Sequence, residues 1–251
     1  MTSSQKPAVS VIIPALNESE SIARTLLAVS HLVTPVEIIL VDGGSYDDTP
    51  EIARRYEARV ISSEQGRGTQ MHRGACAAHG DILWFLHADT VVPPDGVDLI
   101  VKALVDEHLI AGNFGVRFDG PGAAARFMTR LYPQLRRLGL CYGDSAIFVR
   151  REAYERSGGF SPLPIFEDLD LLRRLKRMGK FVHVPGSVVT SGRRFESGRF
   201  LSTFIRWIGL QLLYWLGFHP GRLGRLYTPV RENAIEINKA SSRNNSRSAD
   251  I

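Results

Sequence analysis

Cysteine is scarce in this chain: its 251 residues include only Cys76 and Cys141. Two thiols so far apart, in no metal-ligand spacing, exclude a disulfide framework and a structural zinc site and fit a reducing compartment. Apolar residues are sparse where they would signal export. The leading MTSSQKPAVS has no run of signal-peptide length, so secretion by that route is not expected. Glycine is missing from the turn after the first apolar run, Pro14-Ala15-Leu16-Asn17-Glu18. A dinucleotide site needs G-x-G-x-x-G there, which disfavours a Rossmann dehydrogenase. Acids nearly vanish late in the chain. From Arg193 to Arg231 seven arginines meet one acid, Glu196, so this segment alone exceeds the net charge of +5. A local basic patch suits phosphates, of a nucleic acid or a lipid surface. No recognised nucleic-acid motif accompanies it, so no nucleic-acid partner is expected.

What is present is enough apolar residue, 44%, for one sizeable core. VSVIIP, Val9 to Pro14, is a short β-branched run and predicts a buried strand. Asn17 is expected to cap a helix from Glu18 to Ser30, with Glu18 and Glu20 in the first turn, where the helix dipole favours acids. VEIILVD predicts a second strand, Gly43-Gly44-Ser45 a turn, Pro50 to Tyr56 a helix and ARVISS a third strand. A helix from Thr69 to Ala78 leads to a strand that ends at His87-Ala88-Asp89, and another helix runs from Gly96 to Glu107. This alternation predicts an α/β fold with a mostly parallel sheet and helices on both faces. Further on, AGNFGVRF, SAIFVRR and Phe181 to Val184 predict strands. Ala123 to Leu138 predicts a helix broken at Pro133, and Ile165 to Met178 one that carries Glu167-Asp168.

Ligands of open α/β sheets bind outside the carboxyl ends of the strands. Three predicted strand ends carry acids: Glu18, Asp42 and Asp89. Each also suits a local role, Asp42 in its turn, Glu18 at a helix start, Asp89 as a cap. Together on one edge they suit a base N–H, ribose hydroxyls and a hard cation, which carboxylates bind through oxygen beside substrate phosphates.

The set VSVIIPALNE, IILVDGGSYDDT, GRGTQMHRG, LWFLHADT and FEDLDLLRRL, in this order, resembles family 2 glycosyltransferases of the GT-A fold over about residues 8–190. HADT, CYGDSAIFVRR and VTSGRRF resemble a bacterial subgroup of small family 2 enzymes with no assigned substrate. The resemblance implies a nucleotide-diphosphate sugar donor, Mn²⁺ or Mg²⁺, and inversion at the anomeric carbon. It implies a nucleoside held among Pro14, Glu18 and Asp42, a diphosphate facing Arg67, and a metal on Asp89, the last acid of a D-x-D motif. His87 departs from that motif, which has Asp there. An imidazole donates to ribose or coordinates a transition metal but adds no negative charge, so either a weaker metal affinity or a preference for Mn²⁺ over Mg²⁺ is expected.

Glu167-Asp168 matches the family's acid pair, whose second member is the base. The chemistry needs one, because an acceptor hydroxyl must lose its proton as it attacks the anomeric carbon. Asp144, before a strand where the family places acceptor contacts, is expected to touch the acceptor. Two rival readings are a sugar-nucleotide pyrophosphorylase and a non-catalytic nucleotide-sugar-binding or membrane-associated protein. The first carries its glycine-rich turn after the first strand, whereas Gly66-Arg67-Gly68-Thr69 follows the third.

Phe200 to Phe218 is 19 residues with one charge, Arg206. Its aromatic and aliphatic residues suit a helix lying at a membrane interface, and docking on the domain is the alternative. The expected organisation is a GT-A domain over 8–192, a basic, aromatic helical extension over 193–231 and a disordered tail over 232–251. Peripheral membrane contact is expected through residues 197–227, with a lipid-linked acceptor and a cytoplasmic location at the inner face of the membrane.

Overall fold

The first apolar run forms β1 (Val9–Ala15), and its side chains alternate between two cores. Val9, Val11, Ile13 and Ala15 enter one, and Ile12 enters the other. The computed structural model describes residues 8–137, 142–193 and 200–226. The strands that follow are β2 (Glu37–Asp42), β3 (Arg59–Ser62), β4 (Ile82–Phe85), β5 (Thr90–Val91), β6 (Leu109–Asp119), β7 (Phe148–Arg150) and β8 (Lys180–Ser191). Their order in one eight-stranded sheet is β3-β2-β1-β4-β7-β6-β8-β5. The first four strands are mutually parallel. β7 runs antiparallel to β4 and β6, β6 is parallel to β8, and β5 is antiparallel to β8.

Helices cover both faces, as the alternation predicts. α1 (Ile22–Ser30), α2 (Thr49–Arg55), α4 (Gly96–Ala103) and α5 (Ala123–Arg137) contribute to the core that takes Val11 and Ile13. α3 (Arg67–Ala77), α6 (Arg151–Arg156) and α7 (Glu167–Leu175) contribute to the core that takes Ile12. Close approach decides where α3 lies. A Cβ on Gly74 would stand 2.4 Å from Ile12 Cγ2, so any larger residue lifts the helix off β1.

Several boundaries differ from expectation. α1 starts at Ile22, after N-cap Ser21, not at Glu18. Asn17 is no cap: it is left-handed, at φ 53°, and its side chain faces the loop after β2. α5 continues through Pro133, because burial of Ala125, Met128 and Tyr132 along it holds the helix across one lost hydrogen bond. SAIFVRR gives only three strand residues. Ala146 is left-handed, at φ 51°, which breaks the extended run, and Arg151 opens α6. β8 passes through Pro185-Gly186 and pairs with β6 on both sides of an irregularity between Asn113 and Gly115.

The chain divides into two compact units between Gly198 and Arg199. The second holds α8 (Phe200–Trp215) and α9 (Pro220–Leu223). Ile205, Ile208, Leu212, Trp215 and Leu216 recur at helical spacing and are exposed. Among the described residues no helix is long and apolar enough to cross a membrane. The tail over 232–251 lies outside the described residues.

Candidate functional site

The carboxyl ends of β1 and β2 are laced by their loops. Asn17 N–H donates to Ser45 Oγ at 2.9 Å, Glu18 N–H to Thr49 Oγ1 at 2.7 Å and Ser19 N–H to Asp47 Oδ2 at 3.1 Å. These bonds hold Glu18 ahead of α1, where its Oε2 accepts from Ser21 Oγ at 2.5 Å. Asp42 ends β2 and accepts from the amides of Gly44 and Ser45 at 3.1–3.2 Å. It therefore builds its own turn, as the local reading expects, and Oδ1, which accepts from Ser45 alone, keeps a second lone pair for a ligand. Pro14 pairs in register with Val41, one residue before Asp42. Beneath them Gln70, on α3, donates to the carbonyls of Ala15 and Val41 at 2.9 and 2.8 Å. This buried amide ties both strand ends to the helix that begins at Arg67.

A second group forms around Asp168. His87 Nδ1 lies 2.9 Å from Asp144 Oδ1, which makes Nδ1 the proton-bearing nitrogen. Its Nε2 is buried and finds no hydrogen-bond partner among the described residues. That nitrogen faces Gly143: a Cβ there would be 2.8 Å from His87 Nε2 and 3.6 Å from Asp168 Oδ2. Gly143 N–H donates to Asp168 Oδ2 at 2.5 Å, and Leu169 N–H to Oδ1 at 2.7 Å. The turn that carries this amide is anchored from within the sheet. Asn113 donates to Ser145 Oγ at 2.9 Å, and Asn113 Oδ1 meets His183 Nδ1 at 2.6 Å.

Burial, then the neighbouring Glu167 carboxylate, push the Asp168 carboxyl up to about 7, against the opposing pull of the Gly143 and Leu169 amides and Arg67. Arg67 Nη1 lies 3.6 Å from Glu167 Oε1. Gly68 lets α3 come this close, since a Cβ there would stand 2.4 Å from Ser161 O and 3.3 Å from Glu167 Cβ. Among the described residues, three of the four left-handed non-glycine residues, Asn17, Ala146 and Phe166, flank these groups. Such conformations cost about 1–3 kcal/mol each and persist where the surroundings enforce them, commonly at functional sites.

The third group centres on a residue that sequence reasoning assigned to the basic extension. Arg193 Nη2 lies 3.4 Å from Glu18 Oε2 and 3.7 Å from Asp89 Oδ2, and its Nη1 lies 3.8 Å from Glu20 Oε2. Thr190 Oγ1 donates to Asp89 Oδ1 at 3.3 Å.

The expected site residues thus gather as Glu18 with Asp89, His87 with Asp144 and Asp168, and Arg67 with Glu167. Asp42 and Pro14 stand at adjoining strand ends. Sequence reasoning missed Gln70, Asn113 and the Ser45, Asp47 and Thr49 lacing. Gln70 had one signal: it shares the otherwise apolar stripe of Met71, Gly74 and Ala75.

Asp89 has the oxygen chemistry of a hard-cation ligand. Among the described residues no three His, Cys, Asp or Glu side chains stand together to hold a metal ion. His87 Nδ1 is committed to Asp144, and its Nε2 faces Gly143. A divalent ion would fit here as a site shared with a substrate, Asp89 being the residue that would hold it.

The chain matches the family model described as Glycosyl transferase family 2 over residues 10–158. Glycosyltransferase AglE of Haloferax volcanii is 31% identical over 172 residues, 61% of this chain and 56% of its own length. An undecaprenyl-phosphate 4-deoxy-4-formamido-L-arabinose transferase of Photorhabdus laumondii is 34% identical over 124 residues, 45% of this chain and 38% of its own length. The crystal structure of glucosyl-3-phosphoglycerate synthase from Mycobacterium tuberculosis with Mn²⁺ and UDP-glucose superposes with a TM-score of 0.60 at 25% identity. That match covers 85% of this chain and 80% of the other. The chain spans little more than half, at most, of the length of these curated relatives.

Proposed function

The chain belongs to glycosyl transferase family 2, and from that premise we propose that it transfers a sugar from a nucleoside-diphosphate donor to an acceptor hydroxyl, with inversion. The observation that carries the reading is the buried Asp168, poised near pH 7 beside Glu167 and Arg67 at one end of the sheet. Asp168 takes the acceptor proton as the acceptor oxygen bonds to the anomeric carbon. The bond from that carbon to the diphosphate breaks, and the nucleoside diphosphate leaves. One displacement with one base inverts the sugar.

Pro14, Glu18 and Asp42 hold the nucleoside in this reading, and Arg67 with the amino end of α3 faces the diphosphate. Asp89 would hold the divalent ion, Mn²⁺ or Mg²⁺, which supplies charge neutralisation at the leaving group when bound. We assign His87 and Asp144 to positioning: together they hold the turn that aims the Gly143 amide at Asp168. The test is Asp168→Asn against a panel of UDP- and GDP-sugars. Turnover falls by about 10²–10⁴ while donor affinity by calorimetry is kept. Near-normal transfer would remove Asp168 from the role.

The exposed apolar row on α8, with Arg206, Arg222 and Arg225 nearby and no acid between Phe200 and Leu226, supports a helix at an anionic membrane surface. A lipid-linked acceptor and a cytoplasmic location at the inner face of the membrane follow from that reading. The undecaprenyl-phosphate transferase among the relatives supports the acceptor class. Co-sedimentation with anionic liposomes, lost on truncation after residue 195, is the expected result. Absence of binding at low salt would end this part of the reading.

A further inference from the structure

We propose that Arg193 is a built-in counter-ion to Glu18 and Asp89, so that a divalent ion gains Asp89 only together with a nucleoside diphosphate. The inference rests on the donor-site reading above and adds an order of binding to it.

Delivery of Arg193 is structural. Pairing of β8 with β6 runs to Ser191 opposite Asp119, and Gly192 N–H then donates to Asp119 O at 2.8 Å. Only glycine fits there, since a Cβ on Gly192 would stand 2.2 Å from Asp119 O. Ser191 Oγ accepts from Arg193 Nε at 3.0 Å, which turns the guanidinium fork back toward β1 and β4. The fork reaches Glu18, Glu20 and Asp89 at 3.4–3.8 Å. Both oxygens of Asp89 then face the end of β8, Oδ1 toward Thr190 and Oδ2 toward Arg193.

Charge sets the consequence. Glu18, Glu20, Asp89 and the guanidinium together carry two negative charges, with the guanidinium directly against Asp89. A divalent ion on Asp89 alone would lie beside a fixed cation, and the two would repel across a few ångströms. A diphosphate changes the balance, because its oxygens ligate the ion and offer the guanidinium a forked partner. Ion and diphosphate therefore bind cooperatively, and the coupling is reciprocal. Arg193 is 45% exposed, so solvent screens the effect and about tenfold is the scale to expect.

The experiment follows the signal of free aqueous Mn²⁺ by electron paramagnetic resonance as protein is added, with and without saturating UDP or GDP. Calorimetry of each nucleotide in chelator runs beside it. Wild type binds Mn²⁺ weakly alone and at least about tenfold more tightly with the nucleotide. In Arg193→Gln, Mn²⁺ alone binds about tenfold more tightly than to wild type, and UDP or GDP in chelator about tenfold more weakly. Arg193→Lys keeps the charge and stays close to wild type, which separates charge from fold. Equal affinity for Mn²⁺ alone in wild type and Arg193→Gln, with nucleotide bound by both, overturns the inference and leaves the donor site standing. The same gain in Arg193→Lys overturns it too. Failure of wild type to bind either nucleotide in the presence of Mn²⁺ removes the donor-site reading itself.

Discussion

The two halves of the sheet position their polar residues by different means. At the ends of β1, β2 and β4, each site residue follows directly from a strand of its own. The loops after β1 and β2 lock one another just past the strand ends, as Asn17 does with Ser45 and Glu18 with Thr49. Around Asp168 the supports come from unlike elements: the loop after β4, strand β6, the turn before β7 and the start of α7. His87 reaches Asp144, Asn113 reaches Ser145, and Gly143 reaches Asp168. The first half is a rigid parallel edge suited to holding one kind of ligand. The second is a set of struts from unlike elements around one buried carboxylate, and a small displacement there is expected to reach Asp168.

The largest effect that separates the halves concerns Asp168 itself. With its carboxyl near 7, kcat/KM falls about tenfold per pH unit below that value and levels above it. The limb vanishes in Asp168→Asn, whose residual rate is flat. Stability moves the opposite way. A carboxyl whose pKa is raised on folding costs stability as pH climbs from its unfolded value, and the cost is complete once pH passes about 7. Asp168→Asn therefore melts higher than wild type at pH 8, and the gap closes toward pH 4. A variant that melts lower at pH 8 would mean the carboxylate is held for structure.

Next in size is Gly143→Ala, which tests the struts. Its Cβ would stand 2.8 Å from His87 Nε2, so the turn or the ring must shift and the amide leaves Asp168. Turnover is expected to fall about 10–100-fold with little change in donor KM, in steady-state kinetics. Equal losses in both parameters would make Gly143 merely structural.

The smallest effect belongs to the donor edge. Gln70→Ala strands the carbonyls of Ala15 and Val41, at a cost of about 1–3 kcal/mol by denaturant unfolding. Donor KM is expected to rise more than kcat falls. The reverse pattern would place Gln70 with the base and erase the contrast between the halves.

That contrast also explains what was legible beforehand. The placement of Glu18, Asp42 and Asp89 at one edge was readable because a strand has a fixed direction, and an acid after its carboxyl end lies at that edge of the sheet whatever the rest of the chain does. Glu167-Asp168 was readable by resemblance, as the start of a helix, but its raised pKa depends on burial by other segments. Asp144 and His87 were assigned to separate ligands because 57 residues separate them in sequence, and nothing local signals their pairing. Arg193 was grouped with the arginines of the extension, since charge runs register in composition and strand register does not.

Apolar periodicity and turn residues thus determined by themselves the alternating sheet, its two cores and the edge where the acids stand, because these depend on neighbours in the chain. Tertiary structure alone decided that Arg193 faces Asp89, that Gln70 ties two strand ends and that His87 meets Asp144. Those are contacts between remote segments, set by sheet register and by the close approach that glycines at 68, 143 and 192 allow.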